Sequence, residues 1–354
     1  MTADTRRAGA DVVSRGRGYA SCHHGEILQG VFLDGRGRRR AGLVTLPMYG
    51  LGTTAEFVRR PGTDLSVVPA DRTKALRAAG LAVEECVRLL GGPACGGELR
   101  LTADVPVGLG MGSSSSDVIA AVRAVADAYG LRLPPQTIAA LAVRAERASD
   151  PLMLDGRPVL FAQREGHVLE VLGEALPPVV VVGCTLGGGR PVDTLSLPAR
   201  RYDDEEVQAF EQLRSALRRA IADRDPALLG HVCTASAKRG QRTLRHAEFD
   251  TLRHVARRTG ATGVQIAHSG NVAGLLFDPA GSGLRRRMRH CVHALNSNGI
   301  PVTRTFTTFT TTEEIPDGSA TGRAAERRDG RAHRGVDRPA GPDTPRRPAH
   351  MSAL

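Results

Sequence analysis

Lysine is nearly missing from this chain: of its 48 lysine and arginine residues, only Lys74 and Lys238 are lysines. The Walker A loop and the protein-kinase fold each need a particular lysine on the nucleotide phosphates. Lys74 stands in Asp-Arg-Thr-Lys-Ala and Lys238 in Ser-Ala-Lys-Arg-Gly, and neither follows a glycine-rich loop. Both systems are therefore excluded. Tryptophan is absent and aromatics make up 3% of the chain, which leaves little with which to stack bases. The net charge of +11 is poorly placed for nucleic acid, because 5 of the excess positive charges fall in residues 1–17 and 316–354. The clusters Arg38–Arg40 and Arg285–Arg287 read as solvated faces, and the taste for arginine, alanine and glycine as a coding bias without function. No Cys-x-x-Cys pair occurs among the 6 scattered cysteines, the usage of a reduced, cytoplasmic protein. No apolar run approaches bilayer length and the first residues lack a signal-peptide core, so a soluble protein without membrane attachment is expected.

What remains is ordinary globular composition, 41% hydrophobic and 24% charged over 354 residues, enough for two domains. Residues 1–17 and 315–354 have the composition of flexible, disordered tails. Between them, short strands are expected at 30–33, 42–46 and 54–58, a helix over Arg72–Leu90 and a strand over Glu98–Ala103. A glycine-serine loop then opens a helix running to Tyr129, and Pro134–Ser149 forms a second helix. Strands follow at Pro158–Ala162 and 177–182, then an amphipathic helix over Asp203–Ile221. Further helices lead to a strand region at Gly263–Phe277, and Pro301–Thr312 is the last strand. The body is α+β, with domains at 18–172 and 173–314.

The most informative segment is Leu101-Thr-Ala-Asp-Val-Pro-Val-Gly-Leu-Gly-Met-Gly-Ser-Ser-Ser-Ser-Asp117, a strand, a glycine turn and a helix start. Gly108, Gly110 and Gly112 allow left-handed backbone and close approach of a ligand. The unpaired amides of a first helical turn, at the positive end of the helix dipole, form an anion site. Ser114 and Asp117 read as a rough capping box. A turn with a capped helix is the plain alternative; three alternating glycines and four serines favour phosphate. With no lysine beside it, the loop is expected to hold phosphate through backbone amides.

Pro106-x-x-x-Gly110-Met-Gly112-Ser-Ser resembles the phosphate loop of the GHMP kinases, Pro-x-x-x-Gly-Leu-Gly-Ser-Ser-Ala, with Met111 and Ser115 as departures. Gly25-Glu-Ile-Leu-Gln-Gly30 after Ala20-Ser-Cys22 is similar to the Ser-Cys-Gly-Glu-Leu-Ile-Gln-Gly signature of the L-threonine kinase branch, with His23 and His24 as extra residues. Ile266-Ala-His-Ser-Gly-Asn-Val-Ala-Gly-Leu-Leu276 resembles that branch's Ala-His-Ser-Gly-Thr-Val-x-Gly, and Ala145-Glu-Arg-Ala-Ser-Asp150 its Glu-x-x-x-Asp element. Val192-Asp-Thr-Leu195 also fits, and the resemblance covers residues 18–312.

The resemblance implies a two-domain GHMP kinase-like fold, S5 domain 2-like at the N-terminus and ferredoxin-like at the C-terminus. It implies ATP held by Pro106, Gly108, Leu109, Gly110, Met111, Gly112, Ser113, Ser114 and Ser115. Ser114 and Glu146 would hold Mg²⁺, and Asp150 would serve as base or orienting group at the acceptor hydroxyl, with Asp155 as its rival. Four-residue spacing puts Glu146 and Asp150 on one face at a helix end, where a solvated acidic pair is the alternative. Cys22, His23 and His24 argue against a metal cluster, since adjacent side chains of a strand point apart. One histidine, His24, is expected to line a substrate pocket while the other faces outwards. Glu26 and Gln29 are expected substrate contacts, and His268, Ser269 and Asn271 are expected to close over the site. Gly187-Gly-Gly-Arg190 reads as a mobile connection whose arginine reaches an anion.

The expectation is an ATP- and Mg²⁺-dependent kinase acting on the side-chain hydroxyl of L-threonine or a similar hydroxy-amino acid. The alternatives are a GHMP kinase for another small alcohol, such as homoserine or a specialised-metabolite intermediate, and a basic nucleic-acid-binding protein on a degenerate kinase scaffold. A homodimer is compatible with the sequence.

Overall fold

The computed structural model describes residues 14–105, 109–189, 201–267 and 270–309. Its first sheet contains β1 (Arg15–Leu33), β2 (Arg39–Arg60), β3 (Leu65–Val68), β4 (Gly96–Ala103), β5 (Val159–Ala162) and β6 (His167–Val171). The order is β3-β4-β2-β5-β6, with β1 paired to β2. Where the sequence pattern suggests three short strands, β1 and β2 form one long antiparallel ribbon from Arg15↔Val58 to Leu33↔Arg39. The register shifts between Ser21 and Cys22 and twice more between His23 and Leu28. Such bulges re-aim side chains. Cys22–Leu28 is consequently buried without alternation, which hides the strand from a period-two reading. Arg15–Arg17, assigned by composition to a flexible tail, are the first residues of β1. The rest of that tail to residue 13, and the tail at 315–354, lie outside the described residues.

Helices α1 (Thr73–Leu90), α2 (Ser113–Ala128) and α3 (Pro135–Glu146) share one core with this sheet. α2 lies backbone to backbone against β1. A Cβ on Gly16 would stand 2.1 Å from Ala128 N, and one on Gly18 would stand 2.2 Å from Ala120 O. Ala120, Ala124 and Ala128, spaced by four residues, make the flat side of the helix that this approach requires.

The second sheet contains β7 (Val180–Thr185), β8 (Gly263–Ile266), β9 (Val272–Phe277) and β10 (Val302–Thr307), antiparallel in the order β10-β7-β9-β8. Between β7 and β8 the chain forms α4 (Asp204–Ala222), α5 (Pro226–Gly240) and α6 (Phe249–Thr259). Between β9 and β10 it forms α7 (Leu284–Ser297). Helices after the first and third strands, with the order fourth-first-third-second, are the ferredoxin-like arrangement. α7 had no sequence expectation, because only Cys291 and Leu295 of it are buried. Ile27, Leu28 and Leu160 of the first sheet share a core with Val181, Leu217 and Leu276 of the second half. No described helix is long and apolar enough to cross a membrane.

Candidate active site

The glycine-serine loop is held from two sides. Leu109 O accepts from Asn271 N (3.0 Å) and Val272 N (3.2 Å), and Met111 O accepts from His23 N (3.2 Å). Gly110 (φ 83) and Gly112 (φ 69) are left-handed, where a side chain would be strained. They also sit where no Cβ fits: on Gly110 it would lie 2.7 Å from Gly270 Cα, and on Gly112 2.4 Å from His23 Cδ2. Gly112 caps α2 without any side-chain cap. The capping box expected from Ser114 and Asp117 therefore does not form. The helix starts at Ser113, Ser114 bonds elsewhere, and buried Asp117 instead accepts from Thr53 Oγ1 at 2.6 Å. The first-turn amides of α2 remain available to an anion.

Glu146 ends α3 and is buried beneath this turn. Ser114 Oγ donates to its Oε2 at 2.7 Å and Ser115 Oγ to its Oε1 at 2.8 Å. Burial outweighs these bonds and pushes the Glu146 pKa up to about 7. Arg147, left-handed at φ 72, stops the helix there. Asp150 therefore lies beyond the helix rather than on one face with Glu146. It reaches the same place through its backbone N–H, which donates to Ser115 Oγ at 3.1 Å.

His23 completes the cluster. Its Nδ1 donates to Gly25 O (3.0 Å) and its Nε2 stands 3.1 Å from Asp150 Oδ2. Burial opposes charge on the ring, but Asp150 wins, so the His23 pKa is raised. Burial also favours neutral Asp150, yet His23 and Ser115 hold its pKa below the ordinary value. Both shifts favour the charged pair, an imidazolium beside a carboxylate. His23, Glu26 and Asp150 place ligand-type atoms within 4.8 Å of one another. With both ring nitrogens already on acceptors, His23 has no ring nitrogen left to offer a metal ion.

The histidine expectation fails in one respect: both are buried, each 1% exposed, and neither faces outwards. The register shift in β1 turns both inwards. His23 meets the loop and Asp150, whereas His24 Nδ1 bonds Gln265 Oε1 at 3.2 Å. Glu26 is buried near Asp150. The N–H of Gln29 donates to Ser236 Oγ of α5 at 3.2 Å, which ties it to that helix. Asp155 is exposed and pairs with Arg123 at 3.0 Å, so of the two rivals only Asp150 joins Ser115 and His23. Gly187 N donates to Glu248 Oε1 at 2.8 Å, within a short turn over Gly187–Gly189. Pro106, Gly108, Arg190, Val192–Leu195, His268 and Ser269 lie outside the described residues.

Two members of the cluster were not read from sequence. His23 finds Asp150 across 127 residues, and no spacing rule reports such a pair. Lys74 donates from Nζ to Ser114 Oγ at 3.3 Å, so a lysine does reach this loop, though from α1 rather than from the loop itself. Its rarity in the chain was the available signal.

Residues 74–153 match the model of the GHMP kinases N terminal domain. An L-threonine kinase of Citrobacter freundii is 26% identical over 181 residues, which are 51% of this chain and 62% of that protein. A 4-diphosphocytidyl-2-C-methyl-D-erythritol kinase of Ralstonia nicotianae is 36% identical over 120 residues, 34% of this chain and 38% of that protein. The chain thus spans less than two thirds of the length of these curated relatives. In fold it is similar to a homoserine kinase from Cytophaga hutchinsonii, with a TM-score of 0.61 at 15% identity, covering 85% of this chain and 96% of that one.

Proposed function

We propose that this chain, which belongs to the GHMP kinase superfamily, transfers the γ-phosphoryl group of ATP to the side-chain hydroxyl of L-threonine or a similar hydroxy-amino acid. One observation carries the reading: an anion-binding helix start, a buried serine-carboxylate pair and an ionised aspartate meet at the first turn of α2. Phosphoryl transfer asks for little covalent chemistry from a protein; it needs positioning and compensation of charge. Leu109–Gly112 and the first amides of α2 bind the phosphate chain. Ser114 Oγ and the Glu146 carboxylate are hard oxygen donors close together, which fits Mg²⁺. When bound, the ion neutralises charge on the phosphate oxygens. Asp150, kept ionised by His23, accepts a hydrogen bond from the acceptor hydroxyl, orients its oxygen and takes up its proton. The L-threonine kinase relative and the shared signature around Glu26–Gly30 support the acceptor class.

The test is ATP consumption against a panel of hydroxy-amino acids, L-threonine and homoserine among them, and small alcohols. Turnover with one hydroxy-amino acid, lowered at least about a hundredfold in Glu146→Ala, is expected. No acceptor-dependent ATP use by the wild type would overturn the reading, and preference for a simple alcohol would move the acceptor class.

A further inference from the structure

We propose that Lys74 is a phosphate ligand of this site, its ammonium contacting the phosphate chain of ATP; the inference rests on the kinase reading and adds a residue to it. The start of α1 is locked against α2. Arg72 Nε lies 3.1 Å from Asp117 Oδ2, while Thr53 Oγ1 donates to Asp117 Oδ1 at 2.6 Å. Asp117 is buried, so this two-sided grip fixes the first turn of α1 beside the first turn of α2. Two residues after Arg72, Lys74 comes within 3.3 Å of Ser114 Oγ.

That position is electrostatically odd. Lys74 is the second residue of α1, and it points at the second residue of α2. Helix N-termini carry partial positive charge, and a cation there is unfavourable. Neither first turn contains an acidic residue to offset it. Glu146 lies beneath, but its two oxygens are taken by Ser114 and Ser115. Two positive helix ends and an ammonium therefore converge where the neighbouring carboxylates are already committed, Glu146 to Ser114 and Ser115, Asp117 to Arg72 and Thr53, and Asp150 to His23. A polyphosphate chain is the ligand chemistry that balances such a place. Lysine suits it as a compact point charge on a flexible stem, which can follow a phosphate between positions where a guanidinium fork would fix one geometry.

The experiment is calorimetric titration of ATP and of adenosine into wild type, Lys74→Met, Lys74→Arg and the control Lys238→Met, with thermal melts to establish folding. ATP affinity is expected to fall at least tenfold in Lys74→Met, partly recover in Lys74→Arg and stay unchanged in Lys238→Met. Adenosine affinity is expected to be equal in all four, which a general distortion of the site would not give. Equal ATP affinity in wild type and folded Lys74→Met would overturn the proposal while the kinase reading stands. A wild type that binds no ATP would overturn both.

Discussion

Asp150 shows how a side chain's chemistry is set by partners far along the chain. A carboxylate at that depth is pushed towards its neutral form, and a neutral acid cannot take the proton of a hydroxyl. His23 reverses this because its Nδ1 is committed to Gly25 O, which leaves Nε2 facing Asp150 with both nitrogens on acceptors. Asp150→Asn keeps the size and the Ser115 contact but removes the charge. It is expected to lower kcat by about 10²–10⁴-fold with little change in the ATP affinity read by titration. Near-full turnover in Asp150→Asn would take the residue out of the mechanism. The glycines, serines, Glu146 and Asp150 were legible in sequence because they are local and resemble a known pattern. Their meeting point was not, since it depends on one left-handed residue, Arg147, and on a ring from another strand. Both facts are tertiary, and the spacing of Glu146 and Asp150 alone suggested the wrong geometry.

The elements follow the same division. α1 and α4 were legible because their apolar residues recur at helical period over a buried face. β1 was broken into a short strand and a tail because its bulges and two-sided burial erase alternation. What α2 needs of β1 is the absence of side chains. Gly18→Ala places a methyl 2.2 Å from Ala120 O and 2.5 Å from Ala124 N. Backbone atoms cannot step aside as a flexible side chain can, so α2 must move off the sheet and the loop with it. A loss of about 1–3 kcal/mol is expected, read as a lowered urea midpoint. Gly80, inside α1, is the opposite case, since its new methyl meets Leu65 Cδ1 at an ordinary 3.5 Å. Gly80→Ala is expected to raise stability by about 0.5–1 kcal/mol. Equal and small shifts for the two substitutions would refute the close packing of α2 on β1.

Across the whole molecule, His24 is the point where the ribbon of the first sheet presses into the second. Its ring lies 5.0 Å from that of Phe306 on β10 and bonds Gln265 on β8. A Cβ on Gly183 of β7 would stand 2.8 Å from its Nε2, and one on Gly274 of β9 would stand 3.6 Å from its Cε1. All four strands of the second sheet thus meet one imidazole whose Nε2 has no partner among the described residues. Burial pushes its pKa down from 6.5 to about 4, against the bond to Gln265 and with help from the charge of His23. Between pH 6.5 and 4 the unfolded chain therefore takes a proton that the folded one refuses, so this residue's contribution to stability falls as the pH drops through that window. Its size is about 3 kcal/mol. His23, raised in the folded state, is protonated in both states below 6.5 and adds no slope there. Glu146 runs the other way between 4.5 and 7, so the wild-type curve by itself cannot isolate His24. The comparison with His24→Gln can, because Glu146 is common to both proteins. The variant is expected to be less stable than wild type at pH 7, from lost packing on Phe306, and that deficit is expected to shrink by about 3 kcal/mol on going to pH 4. Urea unfolding of both proteins at half-unit steps measures it, and a deficit that stays constant across the window would mean that His24 carries its proton inside the fold as readily as outside it.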